Sequence, residues 1–204
     1  MTTGHDGWAA LPVRLRLIAR LLELTQRRAG VTVGTMATKP LAERQQGKPH
    51  RAFCRPAPRN VSHSDRSVPT RDGAVTVRTY RVVGSPGDQP VLLYLHGGAW
   101  IMGGLDGVDP FCAQMAARAG ITVVSVDYRL APEHPFPAGL NDAADVLSWL
   151  RKEGAEINVD GTRIAVAGDS AGGNLAAALC LLDRESASPI RLQVLLYPGL
   201  DATF

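Results

Sequence analysis

From about residue 61 onward the apolar positions fall into two alternating kinds of run. "PVLLYLHGG" (90–98), "ITVVSVDYR" (121–129), "TRIAVAGDS" (162–170) and "IRLQVLLYP" (190–198) are short and largely apolar, the pattern of strands covered on both faces. Between them, residues 108–119, 138–153 and 171–184 carry helical spacing. In the second of these, Leu140, Ala144, Leu147 and Trp149–Leu150 share one side. Just upstream, "VPTRDGAVTVRTYRV" (68–82) reads as two strands around an Asp72-Gly73 turn. Strand–helix–strand repetition with apolar strands predicts an α/β fold: a mostly parallel sheet with helices on both faces.

The front of the chain follows a different pattern. Over residues 11–28, Leu11, Leu15, Ile18 and Leu22 fall on one helical face, and Arg16, Arg20, Glu23 and Arg27 gather on the other. Such a helix packs its Leu face on a domain or, alternatively, lies on a membrane surface as a peripheral contact. Residues 34–60 lose periodicity and accumulate Lys, Arg, Gln and Pro, which predicts a linker of low order. The expected organisation is therefore an N-terminal helical cap and linker segment over 1–60 and an α/β core over 61–204.

Composition narrows the options. A chain of 204 residues, 45% hydrophobic, suffices for one sizeable core. The net charge of +3 hides an asymmetry: residues 1–72 hold 13 basic against 5 acidic side chains, and residues 73–204 hold 9 against 14. The basic front third lacks interleaved aromatics and any reader motif, so nucleic acid is not an expected partner. Cys54, Cys112 and Cys180 show no metal-ligand spacing. No ligand cluster or phosphate-binding glycine loop appears, so neither a metal nor an organic cofactor is implied. The start "MTTGHDGW" is unlike a signal peptide and no apolar run reaches membrane-spanning length, which points to a cytoplasmic location.

Ligands of parallel α/β sheets gather at the carboxyl ends of the strands, where both glycine-rich stretches fall. Gly168-Asp169-Ser170-Ala171-Gly172 has the G-x-S-x-G spacing in a strand–turn–helix context. The glycines remove side chains that would collide around a sharp turn, and the following helix N-terminus faces any carbonyl that Ser170 attacks. His96-Gly97-Gly98-Ala99-Trp100 follows another buried strand, and its glycines leave backbone N–H groups open toward a substrate oxygen. His96 is either a general base or a brace for this loop, and its position ahead of the glycines favours the brace.

"HGGAW", "DYRLAPEHPFPA" (127–138), "GDSAGGNLA" and "YPGLD" (197–201), in that order, resemble the hormone-sensitive-lipase-like esterases of the α/β-hydrolase superfamily. The resemblance covers about residues 62–204. It implies an α/β-hydrolase fold, a small-molecule ester as substrate, Ser170 as nucleophile, and Gly97, Gly98 and Ala171 as oxyanion-hole donors. It further implies that His96 supports the oxyanion loop and that Asp127, Arg129 and Glu133 form a structural polar network beneath the site. His134 then belongs to the structural motif, and residues 1–50 to a variable cap. Ala99 departs from the third glycine of many members.

Triads on this fold run Ser, then Asp or Glu, then His. His5, His50, His63, His96 and His134 all precede Ser170, and Asp201 comes too early for the family's acid. The expectation is a truncated esterase core, lacking the last strands, the triad acid and the triad His, with little turnover of its own. The alternative is a non-catalytic hydrolase core that binds a ligand or partner. "LQVLLY", apolar on both faces, would become a long hydrophobic sheet edge, which predicts poor solubility or a strand-paired homodimer.

Overall fold

The computed structural model describes residues 32–45 and 56–201. The amphipathic stretch 11–28, Cys54, His5 and His50 lie outside the described residues. The chain divides into two compact units, Met1–Lys39 and Pro40–Phe204. In the first, α1 (Val33–Ala37) starts at Thr32, whose hydroxyl accepts from the Thr35 N–H while the Thr35 hydroxyl accepts from the Thr32 N–H. This reciprocal cap satisfies donors that a five-residue helix cannot pair internally.

The second unit opens with α2 (Leu41–Gln45), so the linker expected over 34–60 is structured over its first dozen residues. α2 is held in place by Arg44. Its guanidinium is fully buried, pairs with Glu133, and donates to the carbonyls of Ile101 and of Ala131, the latter at 2.9 Å. Those partners lie 57 to 89 residues away in sequence, and composition could not reveal them. The unit boundary accordingly falls at Pro40 and not at the expected residue 61.

Six strands form one sheet: β1 (Val61–Thr70), β2 (Gly73–Val82), β3 (Gln89–Leu95), β4 (Thr122–Val126), β5 (Val159–Asp169) and β6 (Leu192–Leu196). Their spatial order is β1-β2-β4-β3-β5-β6. β1 and β2 make the expected antiparallel hairpin, closed by Arg71 and Asp72, and β2 runs antiparallel to β4. From β4 through β6 all pairing is parallel, as the continuous apolar runs predict.

Helices cover both faces. α4 (Ala138–Glu153) and α5 (Ala171–Asp183) bury Leu140, Val146, Leu147, Leu150, Leu175 and Leu179 against Val77, Leu93, Leu95, Val126 and Val166. On the other face α3 (Leu105–Ala119) packs Cys112, Ala113 and Ala116 on Tyr80, Leu92, Tyr94 and Val123. Gly120 ends α3 with a φ of 63°, the left-handed geometry that glycine adopts without a steric cost. Among the described residues β6 pairs only with β5, and Leu192 on it is 58% exposed. Among the described residues no helix is long and apolar enough to cross a membrane.

Candidate active site

The central strands β3 and β5 stop side by side, with Leu95 in register with Gly168. This brings the two glycine-rich segments together although some seventy residues separate them. Ser170 sits in the turn between β5 and α5 with φ 51° and ψ −117°, a conformation that costs a non-glycine residue roughly 1–3 kcal/mol. The surroundings enforce it. A side chain at Gly168 would strike the Gly172 backbone and the Leu95 carbonyl, and one at Gly172 would strike the carbonyls of Leu95 and His96. The strand, turn and helix can approach this closely only with glycine at both positions.

The turn is tied at both backbone atoms. Ser170 N–H donates to the Leu196 carbonyl at 2.9 Å, and the Ser170 carbonyl accepts from the Asn174 N–H at 3.1 Å. Asn174 Nδ2 donates to the Gly199 carbonyl at 2.9 Å, which draws "YPGLD" over the nucleophile turn. Although Ser170 occupies the N-cap position of α5, its hydroxyl makes no capping hydrogen bond. The serine is therefore half-buried, strained and uncommitted at the positive end of a helix.

The glycine loop leaves β3 at His96. Gly98, Ala99 and Trp100 all have positive φ (130°, 52° and 60°), and Gly98's carbonyl accepts from Ile101 and Met102 N–H at 3.1 and 2.9 Å. One sequence expectation is corrected at Gly97. Its N–H donates to Asp169 Oδ1 at 2.9 Å, so it is not open to a substrate oxygen. The N–H groups of Gly98 and of Ala99 accept no such commitment among the described residues, and that of Ala171, first in α5, has no intrahelical acceptor. Ala99, read from sequence only as a departure from a third glycine, thus stands where an oxyanion donor is needed.

His96 is buried and its ring stacks on Tyr128, with centroids 4.3 Å apart and planes 16° from parallel. Nδ1 lies 2.8 Å from the Gly97 carbonyl, an acceptor, so Nδ1 carries the proton. Burial pushes the imidazole pKa down, which keeps the ring neutral. Tyr128 donates its hydroxyl to the His96 carbonyl at 2.6 Å. Ring and backbone of His96 are thereby both used to hold the loop, a bracing geometry, and the ring makes no hydrogen bond to Ser170. His63 and His134, the other described histidines, make none either.

Asp127, Arg129 and Glu133 do not form the single network expected of them. Arg129 lies in a two-point pair with Asp142 on α4, with Nη2 and Nε at 2.8 and 3.0 Å, and its own N–H donates to the same carboxylate at 2.9 Å. Glu133 pairs with Arg44, whose carbonyl also accepts from Gly103 N–H at 3.0 Å. Asp127 stands apart: its Oδ1 has no hydrogen-bond partner, and burial pushes its carboxyl pKa up. Two separate clamps thus fix the "DYRLAPE" loop, one to α4 and one to α2, because each Arg lies nearest a different carboxylate. Arg44 is the member that sequence reading missed.

A cavity of about 240 Å³ lies beside this assembly, lined by Trp100, Tyr128, Phe136, Leu140, Asn174 and Leu175 among others. Among the described residues no group of His, Cys, Asp or Glu side chains could hold a metal ion.

The chain is similar to known hydrolases and esterases. A family model described as alpha/beta hydrolase fold matches residues 92–204. A carboxylesterase, NlhH, of Mycobacterium tuberculosis is 52% identical over 110 residues, covering 53% of this chain and 34% of that protein. An ethyl acetate hydrolase of Pseudomonas putida is 45% identical over 149 residues, covering 69% of this chain and 46% of the other. Among solved structures, a hyperthermophilic esterase from Pyrobaculum calidifontis superposes with a TM-score of 0.64 at 38% identity, covering 81% of this chain and 48% of that one. The chain spans about a third to a half of the length of the curated relatives it matches.

Proposed function

The chain belongs to the α/β-hydrolase fold family, in its hormone-sensitive-lipase-like branch, and from that premise we propose that it carries the nucleophile and oxyanion hole of a carboxylic ester hydrolase. The observation that carries this reading is the strained, uncapped Ser170 at the N-terminus of α5, set beside a loop with unpaired N–H groups.

In this reading Ser170 Oγ attacks the ester carbonyl carbon and the carbonyl electrons move onto oxygen. The N–H groups of Gly98 and Ala171, with that of Ala99, hold the resulting oxyanion, each donor worth roughly 3–4 kcal/mol in the barrier. Collapse expels the alcohol and leaves acyl-Ser170, which water hydrolyses. The 240 Å³ cavity walled by Trp100, Phe136 and Leu175 takes the apolar part of a small ester, in keeping with the name of the Pseudomonas relative.

The serine proton needs an acceptor, and no described His or carboxylate bonds Ser170 Oγ. Catalysis by these 204 residues alone is then the residue left by binding and an oxyanion hole, roughly 10³–10⁴ over water. Hydrolysis of p-nitrophenyl acetate tests this: slow release that vanishes in Ser170→Ala is expected, and turnover at the level of a complete esterase overturns the impaired state. A second reading is a non-catalytic core that binds a partner, for which the exposed Leu192 on β6 would be the contact. Pairing of two β6 edges makes a homodimer that light scattering detects, and a monomer at all concentrations refutes it.

A further inference from the structure

Asp169, which precedes Ser170 in the nucleophile turn, bonds three separate segments of the site. Oδ1 accepts from the Tyr94 hydroxyl at 2.7 Å and from the Gly97 N–H at 2.9 Å, and Oδ2 lies 3.4 Å from the Tyr197 hydroxyl. One carboxylate therefore joins β3, the first residue of the glycine loop, and the segment after β6. Tyr94 is buried, and burial together with the Asp169 charge pushes its hydroxyl pKa up, so it stays a donor. A Cβ at Gly97 would fall on the Asp169 carboxylate and carbonyl. The glycine at 97 is thus required by Asp169, not by a substrate.

We infer that Asp169 is a positioning residue, fixing the Gly98 and Ala99 N–H groups opposite Ser170 by anchoring Gly97; this rests on the esterase reading of Ser170. Because Asp169 and Ser170 are chain neighbours, one rigid turn sets both the nucleophile and the hole. The anchor needs an acceptor oxygen and not a negative charge. A charge would oppose the developing oxyanion, and here three donors surround it. Asn, which keeps Oδ1, can therefore replace Asp, and Ala cannot.

The test follows labelling of the full chain by a fluorophosphonate at pH 9, read by mass spectrometry. The Ser170 Oγ–P bond forms, P–F breaks, fluoride leaves, and the serine proton goes to hydroxide. Asp169→Ala is expected to lower the maximal labelling rate by about tenfold or more, as loss of an oxyanion donor does, with little change in the half-saturating probe concentration. Gly97 amide hydrogen exchange should accelerate by about tenfold or more in the same variant, since its N–H loses its acceptor. Asp169→Asn should restore both. Wild-type labelling in Asp169→Ala, or an Asn variant as poor as Ala, overturns the inference. A wild-type chain that never labels at Ser170 instead overturns the esterase reading. Gly97 exchange then decides the anchor alone, and an unchanged rate in Asp169→Ala refutes it.

Discussion

Gly172→Ala sets two effects of opposite sign against each other. Gly172 is the second residue of α5, where Ala is favoured over Gly by about 1 kcal/mol, so propensity alone predicts a more stable protein. Against this, a Cβ at 172 would meet the carbonyl oxygens of Leu95 and His96 inside any real contact distance. These are backbone atoms at the end of β3, which is held by β4 on one side and β5 on the other, so they cannot swing away. Overpacking of this kind costs about 1–3 kcal/mol, and the upper end applies when the obstacle is fixed. The net expectation is a loss of about 2 kcal/mol. Gly173→Ala is the internal control. Its Cβ would meet the Gly168 carbonyl and Pro198 Cβ, both at 3.0 Å, contacts relieved by a few tenths of an ångström. Its loss should be offset by the same helix gain. Urea unfolding followed by circular dichroism should move the Gly172→Ala midpoint down by about 1 M and leave Gly173→Ala near wild type. Equal midpoints for the two variants, or a stabilised Gly172→Ala, would refute the claim that close approach of β3 and α5 dictates the glycine.

Three other outcomes follow from the same geometry. Ser170→Gly should be more stable than Ser170→Ala by about 1–2 kcal/mol in the same urea assay, because glycine relieves the φ of 51°. Asp142→Ala should cost about 3 kcal/mol, since it strands Arg129, a side chain 21% exposed, with only Asp72 as ion-pair partner among the described residues; thermal melting would show it, and a change under 1 kcal/mol would contradict it. For acid stability, burial pushes the Asp183 carboxyl up, but the Arg151 guanidinium and the Ile190 N–H outweigh it and hold the pKa below that of an ordinary aspartate. A depressed folded pKa gives stability that is present above about 4 and lost as pH falls through the lowered value. Asp160, held down at about 2 by Thr162 and Arg163, acts in the same direction. Asp183→Asn should make the melting temperature less sensitive to pH between 5 and 2, and an unchanged acid limb would contradict this.

The core was legible from sequence because its strands are apolar on both faces and its turns are marked by glycine. β3, β4 and β5 overlap the runs read at 90–98, 121–129 and 162–170, and α5 begins where the G-x-S-x-G spacing predicts. What stayed hidden depends on partners distant in the chain. Gly97 looked like a donor because a glycine exposes its N–H, and only folding brings the Asp169 carboxylate to that N–H. Arg44 sits in a run that reads as solvated, and its burial is visible only once Glu133 and the carbonyls of Ile101 and Ala131 converge on it. Asp127, Arg129 and Glu133 lie within seven residues, yet the loop turns them toward different elements.

The most direct test of the account is where a fluorophosphonate attaches to the chain. Peptide mapping of the wild-type protein and of Ser170→Ala after long exposure should find one phosphonylated site, Ser170, lost in the variant. Modification at another side chain, or a Ser170 still unmodified after exposure about 10⁴-fold longer than a complete esterase of the family needs, would contradict it.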